Sequence, residues 1–371
     1  METVRYGIIG CGMMGQEHIQ NIALLPKGEV TAVYDPVPEI ATRAASLAGG
    51  AKIAATVADL VRDEAIDALV IASPNHLHLD QLFEISKLRH VPILCEKPLY
   101  THPDQASRLA IFEERYQAPV WVAMEYRYMP PIAALLAEAE AATGGIEMLT
   151  IREHRFPFLP KIGNWNRFNR NTGGTLVEKC CHFFDLMRFA LKSEPVRVMA
   201  SAGQAVNHTG ESYAGEVPDI WDHGYVIVDF ANGKRAMLEL CMFAEGSRYQ
   251  EEIAAVGRDG KIECHVPGPG RFWGEGLGPA PLPRLLVSPR SPKGPVTRDI
   301  PVEPSLLAAG DHNGATFYQH ERFNAVVRGQ GEVEVSLADG AASVAMGLAA
   351  QRSALEGRAI ALEEGDAVSF A

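Results

Sequence analysis

Short apolar runs alternate with helical patterns over the first third of the chain. Six runs rich in β-branched residues predict strands at residues 4–9, 30–34, 52–55, 68–72, 92–95 and 120–124. Apolar residues recur every three or four positions between them, which predicts helices at residues 14–25, 39–47, 57–61, 77–89 and 103–116. Strands that alternate with helices indicate a parallel sheet with right-handed crossovers. The sequence therefore predicts a doubly wound α/β domain over residues 1–125.

Alternation of apolar and polar residues replaces this pattern in the second half. It predicts strands at residues 148–158, 197–206, 225–230, 235–242 and 252–256, with an Asn232-Gly233 turn between two of them. Helices are predicted at residues 176–191, 315–328 and 337–355, and the Pro- and Gly-rich residues 267–304 are predicted to be irregular. Such alternation is typical of an antiparallel sheet with one open face. We therefore predict a second, α+β domain over residues 126–371, whose last helices return to the first domain.

A glycine-rich loop joins the first predicted strand to the first helix, with the sequence Gly10-Cys11-Gly12-Met13-Met14-Gly15. In such loops Gly10 permits a tight turn, Gly12 lets the backbone approach a pyrophosphate, and Gly15 allows close helix–sheet packing. Asp35 ends the second strand, where a carboxylate binds an unmodified ribose and repels a 2′-phosphate. The sequence predicts a site for NAD, with NADP less favoured.

Two further segments follow strand ends of the same predicted sheet, where open α/β sheets bind ligands. One is Ser73-Pro74-Asn75-His76-Leu77-His78, and the other is Glu96-Lys97-Pro98. We expect both beside the nicotinamide half of the cofactor. The Lys97 amine is a candidate catalytic group, whose pKa we expect to be lowered if it is buried beside other donors.

A third segment in the second half supplies a carboxylate and an imidazole. Glu178 and His182 are four residues apart and share one face of the predicted helix. Gly173-Gly174 precedes them, and the surrounding cysteines and phenylalanines are too apolar for an exposed helix. With Lys97, they could remove a hydroxyl proton while hydride leaves the same carbon.

The strings GCGMMG, SPNHLH, CEKPL, YRYMP and GGTLVEKCCHFFDL, in this order, resemble the Gfo/Idh/MocA family of dehydrogenases over essentially the whole chain. The resemblance implies a Rossmann domain joined to an open-faced sheet domain, with Lys97 and His182 as catalytic residues and Glu178 in place of the family's aspartate. It implies a cis bond before Pro98 and substrates that are mostly sugars or cyclitols. It also implies that the cofactor is lined by Cys11, Gly12, Met13, Met14, Ser73, Asn75, His78, Glu96 and Arg127. We add the loop residue Pro74 and the catalytic residue Lys97 to this set.

Several polar groups of the second half could bind such a substrate together with Lys97 and His182. We select His154 on the first predicted strand of that half, and Trp165 and Asn166 on the loop that follows. An aromatic ring suits the apolar face of a sugar, and amides suit its hydroxyls. The histidines and cysteines show no close metal-ligand spacing, so we expect no metal.

Composition and charge limit which partners and which cellular location we expect for this protein. A net charge of −12 argues against nucleic acid as a partner. No run approaches the roughly 18 apolar residues of a membrane span, and no export signal precedes the first strand. Six cysteines without CxxC spacing indicate reduced thiols. We expect a cytoplasmic homodimer or homotetramer that associates through the open sheet.

The favoured hypothesis is an NAD-dependent oxidoreductase that transfers hydride between a secondary alcohol of a sugar, inositol or related polyol and nicotinamide. One alternative is a non-catalytic sugar- or nucleotide-sensing regulator on the same fold. The retention of both Lys97 and His182 argues against it, since a sensor needs no proton relay. Another is an NAD-using glycosidase, or an oxidoreductase with a permanently bound cofactor. The secreted proteins of that class carry an export signal, which we do not find.

Overall fold

The first of two β-sheets holds the N-terminal third of the chain, in a computed structural model that describes residues 3–362. Its elements in chain order are β1 (Val4–Ile9), α1 (Met13–Ile22), β2 (Gly28–Tyr34), α2 (Pro38–Leu47), β3 (Lys52–Ile53), α3 (Val57–Arg62), β4 (Ala68–Ile71), α4 (His78–Ser86), β5 (Ile93–Cys95), α5 (Ala106–Arg115) and β6 (Val120–Val122). All six strands are parallel. This arrangement confirms the predicted doubly wound sheet.

The strand order of this sheet creates the place for a ligand. The order is β3-β2-β1-β4-β5-β6, so the connections leave in opposite directions on either side of the β1–β4 pair. Strands β4, β5 and β6 are buried along their whole length, because helices cover both faces of the sheet. A crevice therefore opens at the carboxyl ends of β1 and β4.

The second sheet has nine strands. The elements of this part are α6 (Pro130–Thr143), β7 (Ile146–His154), α7 (Asn169–Thr172), α8 (Thr175–Glu178), α9 (Cys181–Leu191), β8 (Pro195–Gly203), β9 (His223–Phe230), β10 (Arg235–Cys241), β11 (Glu251–Gly257), β12 (Gly260–Val266), β13 (Arg284–Pro289), β14 (Val296–Asp299), α10 (Pro304–Ala308), α11 (Ala315–Val327), α12 (Leu337–Glu356) and β15 (Ile360–Ala361). Their order is β14-β13-β12-β11-β7-β10-β9-β8-β15, and only the β7–β10 pair is parallel. The prediction of a mostly antiparallel sheet is confirmed.

One face of this sheet is covered and the other is open. Helices α6, α9 and α12 pack against the covered face. Along β9 the burial alternates residue by residue, so Val226 and Val228 are buried while Tyr225 and Ile227 are exposed. No helix among residues 3–362 is long and apolar enough to cross a membrane.

Three sequence predictions for this half were incomplete. Residues 267–304, predicted as irregular, contain β13 and β14, which extend one edge of the sheet. Strand β12 and helix α6 were missed, and α6 is Ala-rich with little amphipathic contrast. The predicted helix 176–191 is interrupted between α8 and α9. The predicted second domain runs to residue 371, but residues 363–371 lie outside the described part of the chain.

The C-terminal helices return to the first sheet. Phe323 on α11 is fully buried, with its ring centroid 6.4 Å from Tyr6 on β1 and 6.3 Å from Trp121 on β6. Val344 and Leu348 on α12 belong to the same buried cluster. Helices α11 and α12, near the end of the described chain, therefore complete the hydrophobic core of the first sheet.

Candidate functional site

The glycine-rich loop leaves open space over the start of α1. A Cβ on Gly10, whose φ is +88°, would lie 2.5 Å from the backbone nitrogen of Ser73. A Cβ on Gly15 would lie 2.2 Å from the carbonyl oxygen of Gly10. A Cβ on Gly12 would have no heavy atom within 4 Å, so the backbone is accessible there. This geometry fits a pyrophosphate at the N-terminus of α1.

Asp35 lies beside this loop at the end of β2. Its two carboxylate oxygens accept the backbone N–H groups of Cys11 and Val37, both at 2.9 Å. Cys11 is buried, and its thiol donates to the Tyr34 carbonyl at 3.5 Å. Asp35 therefore fixes the loop and still faces the cleft, where a ribose would bind.

A cleft of about 610 Å³ runs along these carboxyl ends. The predicted cofactor residues that line it are Gly10, Gly12, Met13, Met14, Asp35, Ser73, Pro74, Asn75, His78, Glu96 and Lys97. Cys11 and Gly15 lie behind its surface and shape the loop. The residues present fit NAD.

The Glu96-Lys97-Pro98 turn is held by buried polar groups. The Lys97–Pro98 bond is cis, as the resemblance implies. Glu96 accepts the backbone N–H of Lys97 at 3.1 Å, and its other oxygen lies 3.0 Å from Nε2 of His18. The ring nitrogens of His78 lie 2.7 Å from the Pro98 carbonyl oxygen and 2.9 Å from that of Ser73. These contacts fix the lysine relative to the loop after β4.

A second cavity of about 1010 Å³ adjoins the cleft and lies between the two sheets. The residues that line both spaces are Met13, Met14, Lys97, Lys161 and Glu178. His182 lines the second cavity. The three predicted catalytic residues thus line one cavity, and Lys97 and Glu178 lie where it meets the cleft.

Lys97 is positively charged in this setting. Its Nζ donates to the carbonyl oxygen of Glu178 at 3.1 Å. Burial lowers the pKa of Lys97, but the surrounding negative charges, first that of Cys181 and then those of Glu96 and Glu178, outweigh burial and raise it. The expectation of a lowered pKa was wrong, because groups that carry negative charge rather than other cations dominate around the amine.

His182 and Glu178 are both buried. The imidazole of His182 stacks on Tyr126 with a centroid distance of 4.2 Å and an 11° interplanar angle. Burial, and then the charges of Lys97 and Lys179, hold the pKa of His182 well below its usual value. Burial raises the pKa of Glu178, whose Oε2 has no hydrogen-bond partner in the described chain. A neutral imidazole that can accept a proton and a carboxyl group that can hold one therefore line the same cavity.

The predicted substrate residues divide among three places. Asn166 is buried and lines the second cavity. Trp165 lines the cofactor cleft instead, with its ring 6.2 Å from that of His76. His154 was placed wrongly. It lies on the open face of the sheet and pairs with Glu239 at 2.9 Å, because residues alternate between faces along β7 and Glu153 takes the covered side.

Arg127 is the one predicted cofactor residue that lies away from both the cleft and the loop. Its guanidinium donates to both carboxylate oxygens of Asp185, at 2.6 and 2.5 Å, and to the carbonyl of Glu334 at 2.9 Å. Arg127 is buried, so this bidentate pair occupies its donors. It links the segment after β6 to α9 rather than contacting a nucleotide.

Charged residues that the sequence did not identify as site residues also line the second cavity. Lys179 donates to the Tyr126 hydroxyl at 2.6 Å and pairs with Glu153 at 2.8 Å. Position 179 directly follows Glu178, and its apolar neighbours could have indicated that a buried cation lies there. The sequence around Lys161 gives no comparable indication, because this residue lies in a loop.

His312 lines the same cavity within a cluster of carboxylates. Its Nδ1 donates to Glu17 at 2.7 Å, and Glu125 lies 3.6 Å away. Burial lowers the pKa of His312, but these two carboxylates raise it to about 9. The donor atoms of the three residues lie within 4.8 Å of one another, a spacing that a metal ion could use. Since the imidazolium and the Thr316 hydroxyl already hydrogen-bond to these carboxylates, we propose no metal there.

Two family models match the chain. One, described as the oxidoreductase family, NAD-binding Rossmann fold, matches residues 4–124. The other, described as the oxidoreductase family, C-terminal alpha/beta domain, matches residues 142–362. Together they cover most of the chain.

Relatives and solved structures agree with these models. An inositol 2-dehydrogenase of Rhizobium meliloti (strain 1021) is 28% identical over 265 residues, which are 71% of this chain and 73% of the relative. A levoglucosan dehydrogenase in complex with NADH and levoglucosan has a TM-score of 0.79 at 20% identity, covering 97% of this chain and 99% of that chain. The myo-inositol dehydrogenase from Lactobacillus casei in complex with NAD(H) and myo-inositol has a TM-score of 0.73 at 20% identity, with 99% of each chain covered. At these identities the structural likeness shows a shared fold.

We predict that Asp35 selects between NADH and NADPH. The variant Asp35→Asn keeps the shape of the side chain but removes the charge that repels a 2′-phosphate. It should raise the ratio of NADPH to NADH affinity about tenfold or more, since a charged hydrogen bond is worth about 1.5–3 kcal/mol. Fluorescence titration of both nucleotides measures this ratio, and Asp104→Asn on the surface serves as the control. An unchanged ratio would contradict the role of Asp35.

Proposed function

Because the chain belongs to the Gfo/Idh/MocA family of NAD-dependent oxidoreductases, we propose that its substrate is a secondary alcohol of a sugar, an inositol or a related polyol. The observation that supports this most is that Lys97, Glu178 and His182 line one cavity, which joins the cofactor cleft at Lys97 and Glu178. The named inositol and levoglucosan dehydrogenases among its relatives and neighbours are consistent with a polyol.

The bound cofactor supplies the hydride acceptor or donor. The residues that would hold it are the Gly10–Gly15 loop, Asp35 and the loop that begins at Ser73. Its reactive end would lie towards Lys97, because this residue lines both spaces.

The proposed roles of the catalytic residues follow from their charges. The Lys97 ammonium holds the substrate hydroxyl and stabilises negative charge as the proton leaves. The neutral imidazole of His182 accepts that proton. Glu178, whose pKa is raised, exchanges protons with this pair in place of the family's aspartate.

Replacement of Lys97 by Met should lower kcat for polyol oxidation about 100-fold or more, because it removes the charge that stabilises the developing alkoxide. NADH binding, measured by fluorescence titration, should be largely retained. Lys52→Met, at an exposed lysine of β3, is the matched control and should leave turnover unchanged. A Lys97→Met variant that turns over normally would refute the assignment, and a wild-type protein that binds NADH but oxidises no polyol would favour a sensor.

The pH profile tests His182. A general base works in its deprotonated form, so a lowered pKa extends the active range towards acid. The acid limb of kcat/KM for oxidation should therefore have its midpoint below pH 6.5. Lys97, with its raised pKa, should stay charged through pH 9, so no loss is expected from it there. An acid limb centred above pH 7 would contradict a neutral His182 in the free enzyme.

We also propose that two or more copies associate through the open face of the second sheet. Exposed apolar residues from four of the five strands β11-β7-β10-β9-β8 share this face, namely Met148, Met199, Tyr225, Ile227 and Val256. Large exposed apolar patches are rare on monomers. The domain division near residue 125 stays a prediction. A cytoplasmic location also stays a prediction, and six free cysteines support it.

The variant Ile227→Asp should reduce the molar mass of the native particle to that of one chain, because it places a charge in the centre of the apolar face. Light scattering coupled to gel filtration measures this mass. Ile53→Asp, at a similarly exposed isoleucine on the edge of the first sheet, should leave it unchanged. A wild-type protein with the mass of a single chain would contradict the proposed association.

A further inference from the structure

The cavity that holds His182 carries more positive than negative charge, although the chain as a whole is acidic at −12. Some of its cations have close carboxylate partners. Arg271 pairs with Asp311, and His312 pairs with Glu17. Within the described chain, three lining cations lack a carboxylate this close, and these are Lys97, which donates to the Glu178 carbonyl instead, Arg155 and Lys161.

Arg155 is mostly buried but is not neutralised. Its side chain is 14% exposed, and its Nε is buried without a hydrogen-bond partner among residues 3–362. Its nearest carboxylate is Glu153, 3.9 Å away, which pairs more closely with Lys179 at 2.8 Å. One carboxylate therefore lies between two cations.

The carboxylate of Glu251, which interacts with Glu153, is only partly ionised near neutral pH. Burial and the charge of Glu153 raise the pKa of Glu251 to about 7. The positive charge of Arg155 also acts on its neighbours, since after burial it is among the causes that lower the pKa values of Lys179 and His182. The surroundings of Arg155 are consequently short of negative charge.

Lys161 extends this positive region towards the cofactor. It lines both the cleft and the second cavity, and its ammonium lies 5.8 Å from the ring of Trp165. Burial lowers its pKa, and the charges of Lys97 and Arg155 act in the same direction, against the opposite effect of Glu178 and Glu96. Arg155 lines only the second cavity, so cofactor phosphates in the cleft do not account for it.

We propose that the substrate carries an anionic group, a carboxylate or a phosphate, which binds the guanidinium of Arg155. This inference rests on the proposed function and narrows it to acidic polyols, such as sugar acids or sugar phosphates. A guanidinium matches either group with two parallel hydrogen bonds, so the anion supplies the partner that the protein lacks. The volume of about 1010 Å³ is at the upper end of the roughly 300–1,000 Å³ of small-molecule sites, which leaves room for a substituent beyond the sugar ring.

The test compares ligands that differ only in this group. D-Glucose, D-glucuronate and D-glucose 6-phosphate form one set, and D-galactose with D-galacturonate forms another. Turnover is measured as NADH formation, and binding is measured by thermal shift in the presence of NADH. The wild-type protein should prefer an anionic member at least tenfold over its neutral partner, and the preferred member identifies carboxylate or phosphate.

The variant Arg155→Met should raise KM or Kd for the preferred anion about 10- to 100-fold and abolish the preference for that anion over its neutral partner, with both ligands measured on the same variant. Arg155→Lys, which keeps the charge but loses the planar fork, should recover part of this loss. Arg258→Met, at an arginine with a 78% exposed side chain, is the control. A preserved thermal unfolding midpoint without ligand shows that each variant folds.

The outcomes separate this inference from the proposed function. Turnover of neutral polyols only, or an anion preference that survives Arg155→Met, would overturn the inference and keep the dehydrogenase. Arg155-dependent binding of anions without any turnover would support the inference and count against the proposed function. If no anionic ligand binds better than its neutral partner, the inference is wrong.

Discussion

The packing of one short segment between two hydrophobic cores determines the geometry of the site. Val177 and Cys181 belong to the core of the first sheet, whereas Leu176 and Cys180 belong to the core of the second. The intervening side chains of Glu178 and Lys179, with His182 one turn later, face the cavity. Close packing leaves little freedom for rotation of this segment, so the charged groups are held by apolar contacts on both sides. The break between α8 and α9 lies within this segment, between Glu178 and His182.

Electrostatics then sets the state of each group within that frame. Negative charges around Lys97, those of Cys181, Glu96 and Glu178 first among them, raise the pKa of its amine despite burial. Burial, and then the charges of Lys97 and Lys179, lower the pKa of His182. Paired groups with pKa values displaced in opposite directions are what acid–base chemistry near neutral pH requires. In the same cavity the nearest carboxylate to Arg155 is that of Glu153 at 3.9 Å, which pairs more closely with Lys179.

The sequence predicted the doubly wound fold and the three residues that meet at the cavity, because each of them lies in a motif with local spacing. It failed where a property depends on distant parts of the chain. His154 was assigned to the wrong face because register, rather than residue type, decides which neighbour on β7 points inwards. The family resemblance implied Arg127 as a cofactor residue, but its partner Asp185 comes from a helix far along the chain. The direction of the pKa shift of Lys97 depended on negative charges contributed by three separate segments.

The return of α11 and α12 to the first sheet also bears on biosynthesis. Tyr6 and Trp121, at the two ends of the N-terminal part, are covered by Phe323. Domains commonly fold as they emerge from the ribosome, beginning with the N-terminal one. Here the first sheet has no complete core until nearly the entire chain has been synthesised. Part of the apolar surface of the first sheet therefore stays uncovered until the last helices have been synthesised.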